Sequence, residues 1–306
     1  MSLTGKLAYH LFYKPRSWTR EVRKFGGVFN VLRIKRGRAA MKKAAAQIKR
    51  SPVPAEAFGV YFLTGKKFWP LTAFCAGSLL RHAGSGIRPV FVDDGTLDER
   101  LMTRIYLQFP GCLVKKASDI EPEMARALPP SQFPLIHEKR KTYPHIRKLT
   151  DIHAGSSGWK LVLDSDMLFF KKPAEILHWI GDPQHPLFLR DPENSYHYSA
   201  GLMEALAGHP VPTHLNVGMV GLKSDAIDWI KVERWIGALE HAEGKSYLLE
   251  QAMSAMLAAG ETVTVADSSE YVVMPGKEEA ERPTATLHHY VAGSKEWYYK
   301  TSWKRS

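Results

Sequence analysis

Apolar positions along this chain repeat in two rhythms, a strand's and a helix's. Residues 60–64 form a short apolar run ended by Gly65, and residues 69–82 are apolar at helical spacing until Gly84 and Gly86 stop them. Residues 88–92 read as a second strand that ends in the turn Asp93-Asp94-Gly95; residues 97–109 read as a helix and residues 112–116 as a third strand. Asp119 is expected to cap a helix reaching Leu128, with Glu121 and Glu123 in its first turn, where acids complement the helix dipole. Strands alternating with helices of this length predict a largely parallel sheet covered on both faces, with ligands outside the carboxyl ends of its strands.

The second half is less regular. Strands are expected at 188–190, 217–222, 262–266 and 286–290, and helices at 226–242 and 247–257; residues 191–209, polar and small, read as a substrate-facing loop. Between the halves lies "WKLVLDSDMLFFKKP", residues 159–173, where Asp164 and Asp166 interrupt an apolar run. Unpaired carboxylates inside a buried strand are costly, and two of them repel. Such a pair needs a divalent cation, neighbouring donors, or a place at the strand's end facing water. Its position late in an α/β series favours a ligand site.

Composition narrows the setting. A 306-residue chain with 44% hydrophobic residues can fill the core of one large α/β domain or two modest ones, which excludes wholesale disorder. No run of 18 apolar residues predicts a membrane span, the first residues lack the apolar block of a secretory signal, and Cys75 and Cys112 read as core residues of a reducing compartment. A cytoplasmic protein is expected. The net charge of +11 is unevenly spread: residues 1–50 hold 14 Lys/Arg against one acid, Glu21, while the other 256 residues hold 28 Lys/Arg against 30 acids. The basicity belongs to an N-terminal arm, residues 1–55, ahead of a domain spanning 56–306. Tyr9, Phe12, Trp18, Phe25 and Phe29 are interleaved with the arm's charges, a mixture suited to an anionic membrane surface. Nucleic-acid binding and a merely solvated helix are the competing readings of the same charge.

Three further segments bear on the carboxylate pair: "LNVGMVGLK" with Asn216 and Gly218, "YLLEQAMSAM" with Glu250 and Gln251, and "LHHYVAGSKEW" with His289, Lys295 and Trp297. Together with the D-x-D run they resemble the GT-A glycosyltransferases, and glycosyltransferase family 8 in particular, over roughly residues 58–297. That family carries D-x-D, N-x-G and HYxGxxKPW segments in this order and an Asp-Gln pair on a helix. The departures are Gly293, one place late, Glu296 in place of proline, and Glu250 in place of aspartate. A D-x-D also opens the haloacid-dehalogenase phosphatases, but on their first strand and with Thr where this chain has Leu168.

The resemblance implies an α/β GT-A fold and a retaining sugar transfer from a nucleotide-sugar, most simply a UDP-sugar, to a glycan, polysaccharide or lipid-linked acceptor. It implies Asp164, Asp166 and His289 as ligands of Mn²⁺ (or Mg²⁺), with the imidazole favouring Mn²⁺. Lys295 and Trp297 are implied for the donor, Asn216 and Gly218 for the strand beside the sugar, and Glu250 and Gln251 for the anomeric centre. In similar enzymes a basic residue such as Lys148, just before the D-x-D, approaches the nucleotide-sugar. Thr64, Gly65 and Asp94 are expected near the nucleoside from the sheet rule alone. Taken singly, Asp93-Asp94-Gly95 is also a plain turn, Asn216 a strand-end amide, and Glu250 and Gln251 the polar face of a helix. Three rival readings stand beside this one: an inverting transferase using Asp191 or Glu193 as base, a non-catalytic nucleic-acid binder using the arm, and a degenerate scaffold. Nucleic acid is not the expected partner.

Overall fold

A computed structural model describes residue 19, residues 22–54 and residues 56–306. Among the described residues ten strands form two sheets: β1 (Phe58–Thr64), β2 (Ile87–Asp93), β3 (Leu113–Lys115), β4 (Trp159–Leu163), β5 (Met167–Phe169), β6 (Leu187–Arg190), β7 (Leu215–Lys223), β8 (Thr264–Val265), β9 (Tyr271–Val273) and β10 (Leu287–His289). The large sheet has the order β3-β2-β1-β4-β7-β6-β8, and the small one β5-β10-β9. In the large sheet only β7 runs antiparallel to its neighbours, so the α/β, mostly parallel architecture expected from the alternation holds.

The large sheet separates two cores because side chains alternate along each strand. Val60 and Phe62 of β1 and Leu161 and Leu163 of β4 pack on one side with the helix Trp69–Ala83, while Tyr61, Leu63 and Val162 face the other. On that second side lie the helices Arg147–His153, Trp229–Glu243 and Leu249–Leu257. Asp119 lies in the first turn of the helix Ala117–Ala127 instead of capping it; Lys116 occupies the cap. The expected loop 191–209 contains a helix, Ala200–Ala207, ended by Gly208 in the left-handed conformation.

Part of the basic arm is a helix, Val28–Ala45, whose buried Val31, Ile34, Met41 and Ala45 face the domain. Asn30 joins it to the helix Lys295–Lys300: Asn30 Nδ2 donates to Glu296 Oε1 at 2.8 Å and Lys300 Nζ donates to Asn30 Oδ1 at 2.8 Å. A Cβ at Gly37 would overlap the Tyr299 carbonyl, so only glycine lets the helices approach this closely. Tyr9, Phe12 and Trp18 lie outside the described residues. Among the described residues no helix is long and apolar enough to cross a membrane.

Candidate active site

The carboxylate pair is not mid-strand. β4 ends at Leu163 in the large sheet and β5 begins at Met167 in the small one, so Asp164-Ser165-Asp166 is the crossing between sheets at the carboxyl edge of β4. The crossing is tied on every side. Asp164 N donates to Gly218 O (2.7 Å), and Tyr290 N donates to Asp166 O (2.9 Å). Ser165 Oγ shares a hydrogen bond with Thr72 Oγ1 (2.7 Å), which shares another with Thr64 Oγ1 (2.7 Å).

β7 reaches the crossing through a bulge. Phe188 pairs with Val220 but Leu189 pairs with Asn216, leaving residues 217–219 without partners on β6. Bulges re-aim side chains, and this one falls on the N-x-G segment. β10 supplies His289 from the other direction, one step from β5. Alternation sends the neighbouring His288 the opposite way, into hydrogen bonds with Glu279 (2.8 Å) and Tyr290 (2.8 Å).

One ligand atom each from Asp164, Asp166 and His289 lies within 4.8 Å of the others. His289 Nε2 is 3.4 Å from Asp166 Oδ1 and 3.7 Å from Asp164 Oδ2, yet it is buried without a hydrogen bond to any group among the described residues. A buried imidazole nitrogen left unpaired beside two carboxylates costs free energy unless a cation takes all three. The donor set fits a divalent metal. Gly218 makes room for the His289 ring, because a Cβ there would overlap the imidazole.

Two lysines balance the carboxylates. Lys295 Nζ lies 2.9 Å from Asp166 Oδ2, and Lys148 Nζ lies 2.9 Å from Asp164 Oδ1 and 3.2 Å from Glu250 Oε2. Burial works against ionising Asp166, but Lys295, 2.9 Å away, helps to hold the carboxyl well below its ordinary value. Burial likewise opposes the charge on Lys148, and Asp164 with Glu250 overcomes it, so its pKa is raised. For Glu250 burial wins: despite Lys148, its carboxyl is pushed up to about 7.

Asp164, Asp166, His289, Lys148, Lys295, Asn216, Gly218, Glu250 and Gln251 therefore form one connected cluster. Gln251 Nε2 donates to Asp191 Oδ2 (3.1 Å) and to the Leu215 carbonyl (3.0 Å). The other candidates make their contacts elsewhere. The Thr64 side chain is fully buried, and its hydroxyl serves the crossing through Thr72. Gly65 abuts the Asp94 carboxylate, which bonds Thr96, while the Asp94 carbonyl accepts from Arg147 Nη1 (3.0 Å). Trp297 packs in a third core cluster with Met41, Leu168 and Tyr290, under Lys300 (4.6 Å). Thr72 and Ser165, which hold the crossing, and Tyr143, whose hydroxyl accepts from Glu250 N (3.3 Å), carry no motif that spacing could flag.

No protein-family model and no curated protein matches the chain by sequence. Solved structures do match by fold. Mouse xyloside xylosyltransferase 1 in its apo form superposes with a TM-score of 0.51 at 11% identity, over 76% of this chain and 97% of that one. The galactosyltransferase LgtC, in complex with donor and acceptor sugar analogues, gives 0.51 at 17% identity, over 77% and 87%. The bifunctional glycosyltransferase WbbM gives 0.51 at 12%, over 82% of this chain and 52% of WbbM. The likeness is one of architecture: this chain has the GT-A fold of glycosyltransferases.

Proposed function

We propose that this chain is a metal-dependent glycosyltransferase similar to family 8, transferring a sugar with retention from a UDP-sugar to a glycan, polysaccharide or lipid-linked acceptor. The observation that carries the reading is the unpaired, buried His289 Nε2 facing Asp164 and Asp166 at the carboxyl edge of β4. Asp164, Asp166 and His289 would hold Mn²⁺, or Mg²⁺, and the imidazole favours Mn²⁺. Bound there, the cation supplies neutralisation of the negative charge that develops on the diphosphate as the glycosidic bond breaks.

The chain's own groups do the rest. Lys295, 44% exposed in its side chain, points a cation from Asp166 toward solvent, where a phosphate meets it as a point charge. Lys148 orients Asp164 and Glu250 together. Glu250 and the Oε1 of Gln251 are the groups assigned to an electron-poor anomeric carbon. Gly65 and Asp94 would border the nucleoside, with Thr64 behind them, and Trp297 would stiffen the helix that carries Lys295. An inverting route would need Asp191 or Glu193 as base. Asp191 Oδ2 already accepts from Asn216 (3.1 Å) and Gln251 (3.1 Å), which favours retention.

Residues 1–55 serve in this reading as a basic arm for an anionic membrane surface, keeping the domain 56–306 near its acceptor at the cytoplasmic face. The arm's helix exposes Phe29 (84%) and Leu32 (39%) beside Arg33 and Arg36 and contains no acid, which supports the assignment.

Thermal unfolding with UDP, GDP, ADP and CMP, each with and without Mn²⁺, tests the reading on the wild type and Asp166→Ala. A ligand at 100 times its Kd stabilises the native state by about 2.7 kcal/mol. The expected result is a shift with UDP that requires Mn²⁺ and disappears in Asp166→Ala. No shift with any nucleotide would sink the transferase reading.

A further inference from the structure

We propose that Asn216 is a positioning residue for His289: its amide, clamped between Gly218 and Asp191, fixes the imidazole as the Nδ1–H tautomer and leaves Nε2 with its lone pair toward Asp164 and Asp166. The assignment follows from donors and acceptors alone. The Gly218 backbone N–H can only donate, so the Asn216 atom 3.0 Å from it is the carbonyl Oδ1. On the opposite side the Asn216 Nδ2 donates to Asp191 Oδ2 at 3.1 Å. His289 Nδ1 lies 3.0 Å from the same Oδ1. Two acceptors cannot share that contact, so the hydrogen must belong to His289 Nδ1. In the neutral ring, the form that can bind a metal, that is the one N–H, and Nε2 keeps its lone pair. That nitrogen is the buried atom with no hydrogen bond beside the two carboxylates.

This changes the part Asn216 plays. With Gly218 N and His289 Nδ1 both on its Oδ1, the amide's carbonyl is spent within the protein, and only one Nδ2 hydrogen remains for a sugar. Asp191 sets a second amide as well. Gln251 gives both Nε2 hydrogens away, to Asp191 Oδ2 and the Leu215 carbonyl, so it presents its Oε1 alone. One buried carboxylate thus helps to fix which atom two amides turn to the site. Partners that orient a metal-binding histidine through its other nitrogen tune its affinity for the metal. The orienting role rests on the metal reading only for its consequence, not for its geometry.

The test has two arms, both on the full chain. The first is ¹⁵N NMR of histidine-labelled protein without metal. Nδ1 of His289 is expected to carry a proton; a neutral ring with Nδ1 bare and the hydrogen on Nε2 overturns the proposal. The second is Mn²⁺ titration by EPR without nucleotide, on the wild type, Asn216→Leu, Asp191→Leu and Asp191→Asn, with urea unfolding of each as the folding control. Asn216→Leu and Asp191→Leu are expected to bind Mn²⁺ about 10- to 100-fold more weakly. Asp191→Asn, whose amide oxygen can take the same two N–H groups, is expected within a few-fold of wild type. Wild-type affinity in both leucine variants overturns the proposal. A wild-type chain that shows the Nδ1–H tautomer yet binds no Mn²⁺ supports the orienting role and sinks the metal reading alone.

Discussion

Glu250→Gln is expected to make the protein more stable above neutral pH and to leave it nearly unchanged in acid. The Glu250 side chain is 7% exposed, and its pKa rises from an ordinary 4.5 to about 7, because burial outweighs the attraction of Lys148. A raised carboxyl pKa means that the native state holds the proton more tightly than the unfolded chain does. Its contribution to stability is fully present below about 4.5 and is lost as pH rises through about 7. At about 1.4 kcal/mol per pH unit, that loss amounts to about 3 kcal/mol. Glutamine keeps the neutral form at every pH, and Lys148 retains Asp164 and the Val217 carbonyl as partners. Urea unfolding in EDTA reads the difference as the change in midpoint multiplied by the slope. At pH 8.5 the variant should be more stable by about 3 kcal/mol, and at pH 5 by less than about 1 kcal/mol. A gap that does not widen with pH, or a wild type that is the more stable at pH 8.5, would refute the argument: Lys148 would then compensate the buried carboxylate in full.

Other outcomes follow from the same contacts. Gly218→Ala places a methyl group against the His289 ring, so a destabilisation of about 1–3 kcal/mol in urea is expected, together with loss of Mn²⁺ binding by EPR. Arg140→Met leaves Asp151, 1% exposed in its side chain, without its 2.7 Å partner, and about 3–5 kcal/mol should be lost in urea unfolding at pH 7. For the arm, co-sedimentation with phosphatidylserine vesicles should weaken by roughly 1 kcal/mol for each basic charge removed, and more when Arg33 and Arg36 are reversed to Glu. Binding that ignores both the reversal and 0.5 M salt would sink the membrane assignment.

The parallel half of the fold was legible because its strands and helices are long enough to show their periods: β1 and β2 each keep seven residues in register. Of the small sheet only β10 was legible, inside the strand expected at 286–290; β5 and β9 have three residues each, too few to display alternation, and so the D-x-D read as the end of a strand within one apolar run and not as a crossing between two sheets. The choice of His289 over its neighbour came from the resemblance, and alternation along β10 is consistent with it. Lys148, Glu250 and Asp191 are joined only by tertiary contact across distant segments, which no spacing in a single sequence reveals. The helix Pro134–Thr142 hid for another reason. Its Lys139 and Arg140 are buried against Glu240 and Asp151, so the charged residues that suggest a solvated face lie inside.

The short helix Lys295–Lys300 works as a beam shared by two parts of the molecule. Its first residue leans on Asp166, while Glu296 in the same turn and Lys300 in the next are bolted to Asn30. Glu296 is the next residue along from the anchor at the carboxylates, and Lys300 lies five residues on, roughly 7.5 Å of helix rise. A chain cut to start at residue 56 would lose the bolt, and Lys295 would swing from a beam fixed at one end. The arm therefore braces the helix that carries Lys295, and trimming it is expected to weaken nucleotide binding at the proposed site as well as the proposed hold on a membrane.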